Sequence, residues 1–196
     1  MMTRTSKVTP VEKRAIRVNY NVEKWASVPY NGLILSLDLS LRRTGYTIGG
    51  VESGIYYIGS EKFSNQKKDK GLDKAIRYHR FMHWLTEKIC KYSPSIVVYE
   101  EPIHNHLGNA ARAVSWGLVT RVQEYCAVRE INYIGVHNSS IKALAYSGRA
   151  DKSDMKIAAS LYCDKYDPNL DDGGDQADSI ILFKYAVEHI KVARSL

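Results

Sequence analysis

The chain has 196 residues, enough for one domain with an ample core. It is 44% hydrophobic and 25% charged, which excludes a disordered or fibrous chain. With 28 Lys and Arg against 21 Asp and Glu, its net charge of +7 favours a polyanionic partner. The three cysteines, Cys90, Cys126 and Cys163, lie far apart without CxxC spacing, so they read as reduced thiols in a cytosol-like compartment. No apolar run approaches membrane-spanning length, and the N-terminus lacks the apolar core of a signal peptide. A cytoplasmic location is therefore expected, with organelle targeting left open.

Residues 1 to about 30 hold Arg4, Lys7, Lys13, Arg14, Arg17 and Lys24 against Glu12 and Glu23, with poor periodicity. They read as a basic N-terminal extension, partly ordered by Trp25 and Tyr30, ahead of a domain spanning 31–196. Such an arm suits nucleic acid phosphates. Leu33 to Leu37 then form an apolar run ending at Asp38. This reads as a buried strand, with Ile34, Ser36 and Asp38 on one side and Leu33, Leu35 and Leu37 on the other. Thr44 to Gly50 and Ile55 to Ser60 follow as strands, joined by a tight turn at 51–54. Their short connections predict an antiparallel meander. Lys62 to Lys70 is a polar loop rich in lysine.

Leu72, Ile76, Met82, Leu85 and Ile89 recur at helical spacing, predicting a helix from about Leu72 to Tyr92. Ser95 to Tyr99 is continuously apolar, hence a strand covered on both faces, and it ends in Glu100-Glu101-Pro102. A second long helix is predicted over 109–130, with Trp116 and Val119 falling away from its main apolar face. It is apolar over more of its circumference than a surface helix needs, which fits either an interface or close packing within the chain. Ile131 to Val136 is a fifth strand. Ser139 or Ser140 caps a short helix through Ala145, and a further helix starts at Asp151. The last runs from about Asp175 to Arg194 after an acidic, Gly-containing loop over 167–174. The expected class is α/β, three antiparallel strands followed by two parallel ones, flanked by helices.

Three acidic places end or begin elements: Asp38, the pair Glu100-Glu101, and Asp175 with Asp178. Each has a plain structural reading, as a turn cap, a solvated turn or a favourable helix N-terminus. Together they fit one site, because sites gather at the carboxyl ends of parallel strands and i, i+3 spacing puts Asp175 and Asp178 on one helical face. Clustered carboxylates repel unless cations are bound, and all-oxygen sets suit Mg²⁺ or Mn²⁺. Two such ions can activate a water and stabilise the leaving oxygen of a phosphodiester. Parity alone leaves Glu100 and Glu101 both open; Glu100, nearer the strand proper, is preferred. Arg42 and Arg43, beside the first acid, are candidate phosphate contacts.

The ordered set Ile34-Leu35-Ser36-Leu37-Asp38-Leu39-Ser40 with Thr44-Gly45-Tyr46, then Val97 to Pro102, then Asp175-Gln176-Ala177-Asp178-Ser179, resembles a RuvC-type Holliday-junction resolvase of the ribonuclease H-like superfamily. The match covers roughly residues 33 to 190. The resemblance implies a five-stranded mixed sheet, a homodimer and two Mg²⁺-dependent incisions placed symmetrically across a four-way DNA junction, with Mn²⁺ able to substitute. It implies that Asp38, Glu100, Asp175 and Asp178 carry the catalytic acids and bind two ions per site. Lys142 and Lys152 match lysines that touch the scissile region. Ile103 or His104 would replace an aromatic that wedges into the junction. The helix over 109–130 would form the dimer interface, and Thr44-Gly45 a turn that keeps the chain clear of the phosphate. The chain's compactness and divergence point to a phage or viral member. Two alternatives share the scaffold: a nuclease acting on branched or flap DNA or on RNA precursors, and a junction-binding module without turnover.

Overall fold

A computed structural model describes residues 22–63, 73–102 and 109–196. Its elements are helix α1 (Val22–Ala26), strands β1 (Leu33–Asp38), β2 (Arg43–Gly50) and β3 (Gly54–Lys62), helix α2 (Asp73–Tyr92), strand β4 (Ile96–Glu101), helix α3 (Asn109–Val128), strand β5 (Asn132–His137), and helices α4 (Asn138–Ala145), α5 (Lys152–Tyr162) and α6 (Asp175–Arg194). The strands form one sheet in the order β3-β2-β1-β4-β5. β1 pairs antiparallel with β2, and β2 with β3; β4 and β5 continue from β1 in parallel. This is the expected mixed sheet of three antiparallel and two parallel strands flanked by helices. No described helix is long and apolar enough to cross a membrane.

Each face of the sheet is covered by a different set of helices. Ile34 of β1, Ile96 and Val98 of β4, and Ile134 and Val136 of β5 pack with Ile180, Ile181 and Phe183 of α6. Leu35 and Leu37 of β1, with Val97 and Tyr99 of β4, pack with Phe81 and Leu85 of α2 and with Leu118 and Val122 of α3. The strict alternation of β1 thus sends Ser36 and Asp38 toward α6. Near-continuous burial of β4 follows from helices on both of its faces.

α6 is the central helix. Ten of its residues are buried, from Ala177 to Ala193. Its first turn rests on β2, where Gly45 is paired with Asp38. A Cβ on Gly45 would stand 1.8 Å from the carbonyl oxygen of Asp175, so only glycine lets the helix approach. Thr44 and Gly45 are therefore inside a strand, not in a turn clearing a phosphate. Behind this contact three fully buried hydroxyls fix the helix. Ser36 Oγ donates to the Ser179 carbonyl at 2.8 Å, Thr47 Oγ1 and Ser179 Oγ share a bond of 2.9 Å, and Ser179 Oγ donates to the Gln176 carbonyl at 2.8 Å. Each polar group is satisfied, so burying them is tolerable.

Other local readings are corrected by packing. Val119 is buried in the core that α2 and α3 share with one face of the sheet, not turned away from the helix's apolar face. α4 is capped by His137, whose Nδ1 accepts from the Ser139 amide, not by Ser139 or Ser140. Within the basic N-terminal segment, Trp25 and Val28 belong to the α6-side core. Arg194 clamps that segment, donating to the carbonyls of Val28 at 2.8 Å and Pro29 at 2.7 Å, with its guanidinium 5.5 Å from the Tyr30 ring centroid. Residues 1–21 and most of the lysine loop after β3 lie outside the described residues.

Gly45→Ala should destabilise the fold by at least about 2 kcal/mol, because neither the strand nor the α6 backbone has slack to accept a methyl group. Urea denaturation measures this; a variant within about 0.5 kcal/mol of the parent would show that the helix can shift.

Candidate active site

β1 and β4 are parallel neighbours; β1 ends at Asp38, and β4 carries Glu100 one residue before its end. α6 begins at Asp175, directly over β2, and one turn later presents Asp178. Four carboxylates from three distant parts of the chain thus converge, and all four are partly buried. Their mutual field is large enough to perturb each other. The Asp38 carboxyl is pushed well above its ordinary range by burial, then by Asp178, Glu100, Asp175 and Asp171. Asp178 is pushed up to about 7, by burial first and then by Glu100, Asp171 and Asp175. Burial also raises Glu100, against the Asn138 hydrogen bond and the charges of Lys142 and His137. Burial raises Asp175, against Arg43, Lys152 and Arg42.

The expected cations are therefore all within electrostatic reach of these acids. Lys142 acts on Glu100 and Asp178, and Lys152 on Asp175. Lys152 Nζ also donates to the Gly173 carbonyl at 3.0 Å, which holds α5 to the loop before α6. Arg43, expected to contact phosphate, pairs here with Asp175: Nε to Oδ2 is 3.7 Å. Arg42 is exposed beside it. Ile103 and His104 lie outside the described residues.

Glu100 and Glu101 are separated by the sheet. Glu100 shares the α6 face with Ile96 and Val98, whereas Glu101 follows Val97 and Tyr99 to the other face. The Glu101 side chain lies over Gly135, its Cγ 2.7 Å from where a Cβ there would stand.

Two residues of this neighbourhood were not singled out in the sequence. Asn138 opens α4 at the end of β5 and donates a hydrogen bond from Nδ2 to Glu100 Oε1. Its signal is positional only: it follows the strand beside β4. Asp171 is buried in the loop before α6 and contacts that helix's first amides. Gly174 at the N-cap of α6, with no side chain to cap it, is the clue that another group must do so.

The donor set, four carboxylates and no sulfur or imidazole, has the chemistry of a hard divalent-cation site. Asp38 and Asp178 hold protons strongly for the same reason they would attract cations. Among the described residues, no three His, Cys, Asp or Glu side chains are gathered tightly enough to hold an ion as they stand. Asn138 engages Glu100 and Arg43 engages Asp175, so closing around an ion requires those two carboxylates to turn.

No family model matches the sequence, and no curated protein matches it. Solved structures do. Thermus thermophilus RuvC in complex with a Holliday junction substrate aligns with a TM-score of 0.64 at 16% identity, over 84% of this chain and 96% of that one. The yeast mitochondrial Holliday junction resolvase Ydc2 aligns with a TM-score of 0.61 at 11% identity, over 99% of this chain and 91% of that one. The fowlpox virus resolvase aligns with a TM-score of 0.52 at 12% identity, over 82% and 97%. The chain has the fold of the RuvC-type resolvases, the ribonuclease H-like sheet with its helices.

Crowded acids make stability depend on pH. Asp178 moves from an ordinary 3.8 to about 7 on folding, so between these values the folded chain binds more protons than the unfolded one. Without divalent cations the fold should therefore lose stability as pH rises from about 4 to about 7. Asp178→Asn should melt higher than the parent at pH 8 in EDTA, by on the order of 1 kcal/mol, with the advantage gone near pH 4. Thermal melts at the two pH values check this; a lower-melting variant at pH 8 would contradict the like-charge crowding.

Proposed function

We propose that this protein is a divalent-metal-dependent, structure-selective endonuclease that resolves four-way DNA junctions as a homodimer. The observation that carries the reading is the convergence of Asp38, Glu100, Asp175 and Asp178 at the ends of β1 and β4, each acid raised in pKa. The net charge of +7 and the fold shared with RuvC bound to a Holliday junction and with the yeast and fowlpox resolvases support it. Acids gathered in one cleft of a basic protein suit a metal-assisted attack on a nucleic acid backbone.

Asp38, Glu100, Asp175 and Asp178 would hold two Mg²⁺ ions; Mn²⁺ would substitute. The ions, when bound, supply activation of a water and neutralisation of charge on the scissile phosphate, leaving a 5′-phosphate and a 3′-hydroxyl. The chain's own residues do the rest. Lys142 and Lys152, on either side of the acids, would hold phosphate oxygens and offset developing negative charge. Arg43, beside Arg42, would contact the backbone of the DNA. Asn138 would orient Glu100.

Two symmetric incisions need two sites at a fixed separation, hence a two-fold dimer. We assign that interface to α3, whose outward positions Ala111, Ala113, Thr120 and Ala127 are exposed and small enough for close helix approach. The engagement of Glu100 by Asn138 and of Asp175 by Arg43 favours one competing reading, a junction-binding module without turnover. Cleavage separates the two.

On synthetic four-way junctions with Mg²⁺, the parent should nick two opposing strands at symmetric positions, mapped on sequencing gels. Asp38→Asn should bind the same junctions in EDTA as the parent does and cut at least about 100-fold more slowly. Wild-type cutting by Asp38→Asn would exclude the mechanism. Binding without any metal-dependent product from the parent would favour the module, and preferred cutting of flaps or RNA would reassign the substrate.

A further inference from the structure

Asp171 is the buried carboxylate that the proposed chemistry does not use: its exposure is 1%. It lies four residues before Asp175, in the loop joining α5 to α6. Its carboxylate is held by Tyr166, Gln176 and Ala177, all close to it in the chain. Its Oδ2 accepts from the Ala177 amide at 3.0 Å and from the Tyr166 hydroxyl at 3.0 Å. Its Oδ1 accepts from the Gln176 amide at 3.4 Å, and its carbonyl from the Gly174 amide at 3.2 Å.

These bonds replace a missing cap. The N-cap residue of α6 is Gly174, in the left-handed conformation at φ 79°, and it offers no side chain to the first amides. Unsatisfied N–H groups at a buried helix start are costly, and a carboxylate there also complements the helix dipole. A negative charge is nonetheless a poor choice at this place, because Asp171 adds to the field that already burdens Asp38, Asp175 and Asp178. A neutral Asn or Ser would cap with less repulsion. An anion there makes sense if the helix start must hold one orientation and the site must attract cations.

We infer that Asp171 is a positioning residue for the metal-binding face of α6, its buried carboxylate holding the rotation of the first turn that aims Asp175 and Asp178 at Asp38. It is not itself a ligand, since both oxygens are engaged by backbone amides and Tyr166. The inference rests on the metal-dependent reading above. With Gly45 fixing the depth of the helix and Asp171 its rotation, the two α6 acids have little freedom left beyond their side-chain torsions.

The test is Mn²⁺ binding by calorimetry to the full chain, alongside junction binding in EDTA. Asp171→Asn keeps an acceptor for one amide, and the Tyr166 hydroxyl can rotate to suit it. Its Mn²⁺ affinity should fall about 10-fold or more, while junction affinity in EDTA stays within about twofold. Tyr166→Phe keeps the charge and removes one donor, and it should weaken Mn²⁺ by about two- to threefold. A cap with a merely structural role would lower the melting temperature of both variants and leave Mn²⁺ affinity unchanged, which would overturn the inference. If Asp171→Asn does not fold, Tyr166→Phe decides alone, and parental Mn²⁺ affinity in it overturns the inference. A parent that binds no Mn²⁺ and cuts no junction would instead remove the metal-dependent reading itself.

Discussion

The structure depends on a backbone contact. The first turn of α6 sits directly on β2 at Gly45, where no side chain could be accommodated. Because Gly45 is the partner of Asp38 in the sheet, the start of α6 is placed beside the end of β1. The hydroxyls of Ser36, Thr47 and Ser179 bond across the same junction, so the helix cannot slide along the strands without leaving buried polar groups unpaired. Ala177, Ile180 and Ile181 then fill the space behind it. A rigid hydrophobic seat is what allows four like charges to be brought together at its edge.

That edge is electrostatically unfavourable by itself. Burial raises all four acids, repulsion from neighbouring acids adds to it at Asp38, Asp175 and Asp178, and the chain offsets this only in part. Arg43 and Asn138 each engage one carboxylate, and Lys142 and Lys152 act from the rim. Proteins bear such arrangements where function needs them, and stored repulsion is a means of binding cations tightly. The surrounding excess of Lys and Arg gives the same molecule a field that draws in a polyanion.

Much of this was legible along the chain. The alternation of β1 assigned Asp38 to the side of Ser36 and Ile34, and helical spacing put Asp175 beside Asp178. Element ends were legible to within about two residues, because turn residues and apolar runs mark them. The choice between Glu100 and Glu101 was not legible, since β4 is apolar on both faces and parity carries no direction without knowing which face bears α6. Val119 misled for a related reason: a helix that shares a core with both a sheet and a neighbouring helix buries more than one stripe.

The sequence by itself determined the order of the strands and of the helices that follow them, though not the short helix α1, and it determined the sheet's change from antiparallel to parallel and the acids that end the elements. These are set by local periodicity, short connections and residue type. Only the tertiary structure decided which acids share one cleft, that Arg43 meets Asp175, that Asn138 holds Glu100, and that Asp171 serves the helix from behind. Such contacts join residues tens of positions apart, or hinge on a missing Cβ. Their energies arise from through-space proximity, which no local pattern encodes.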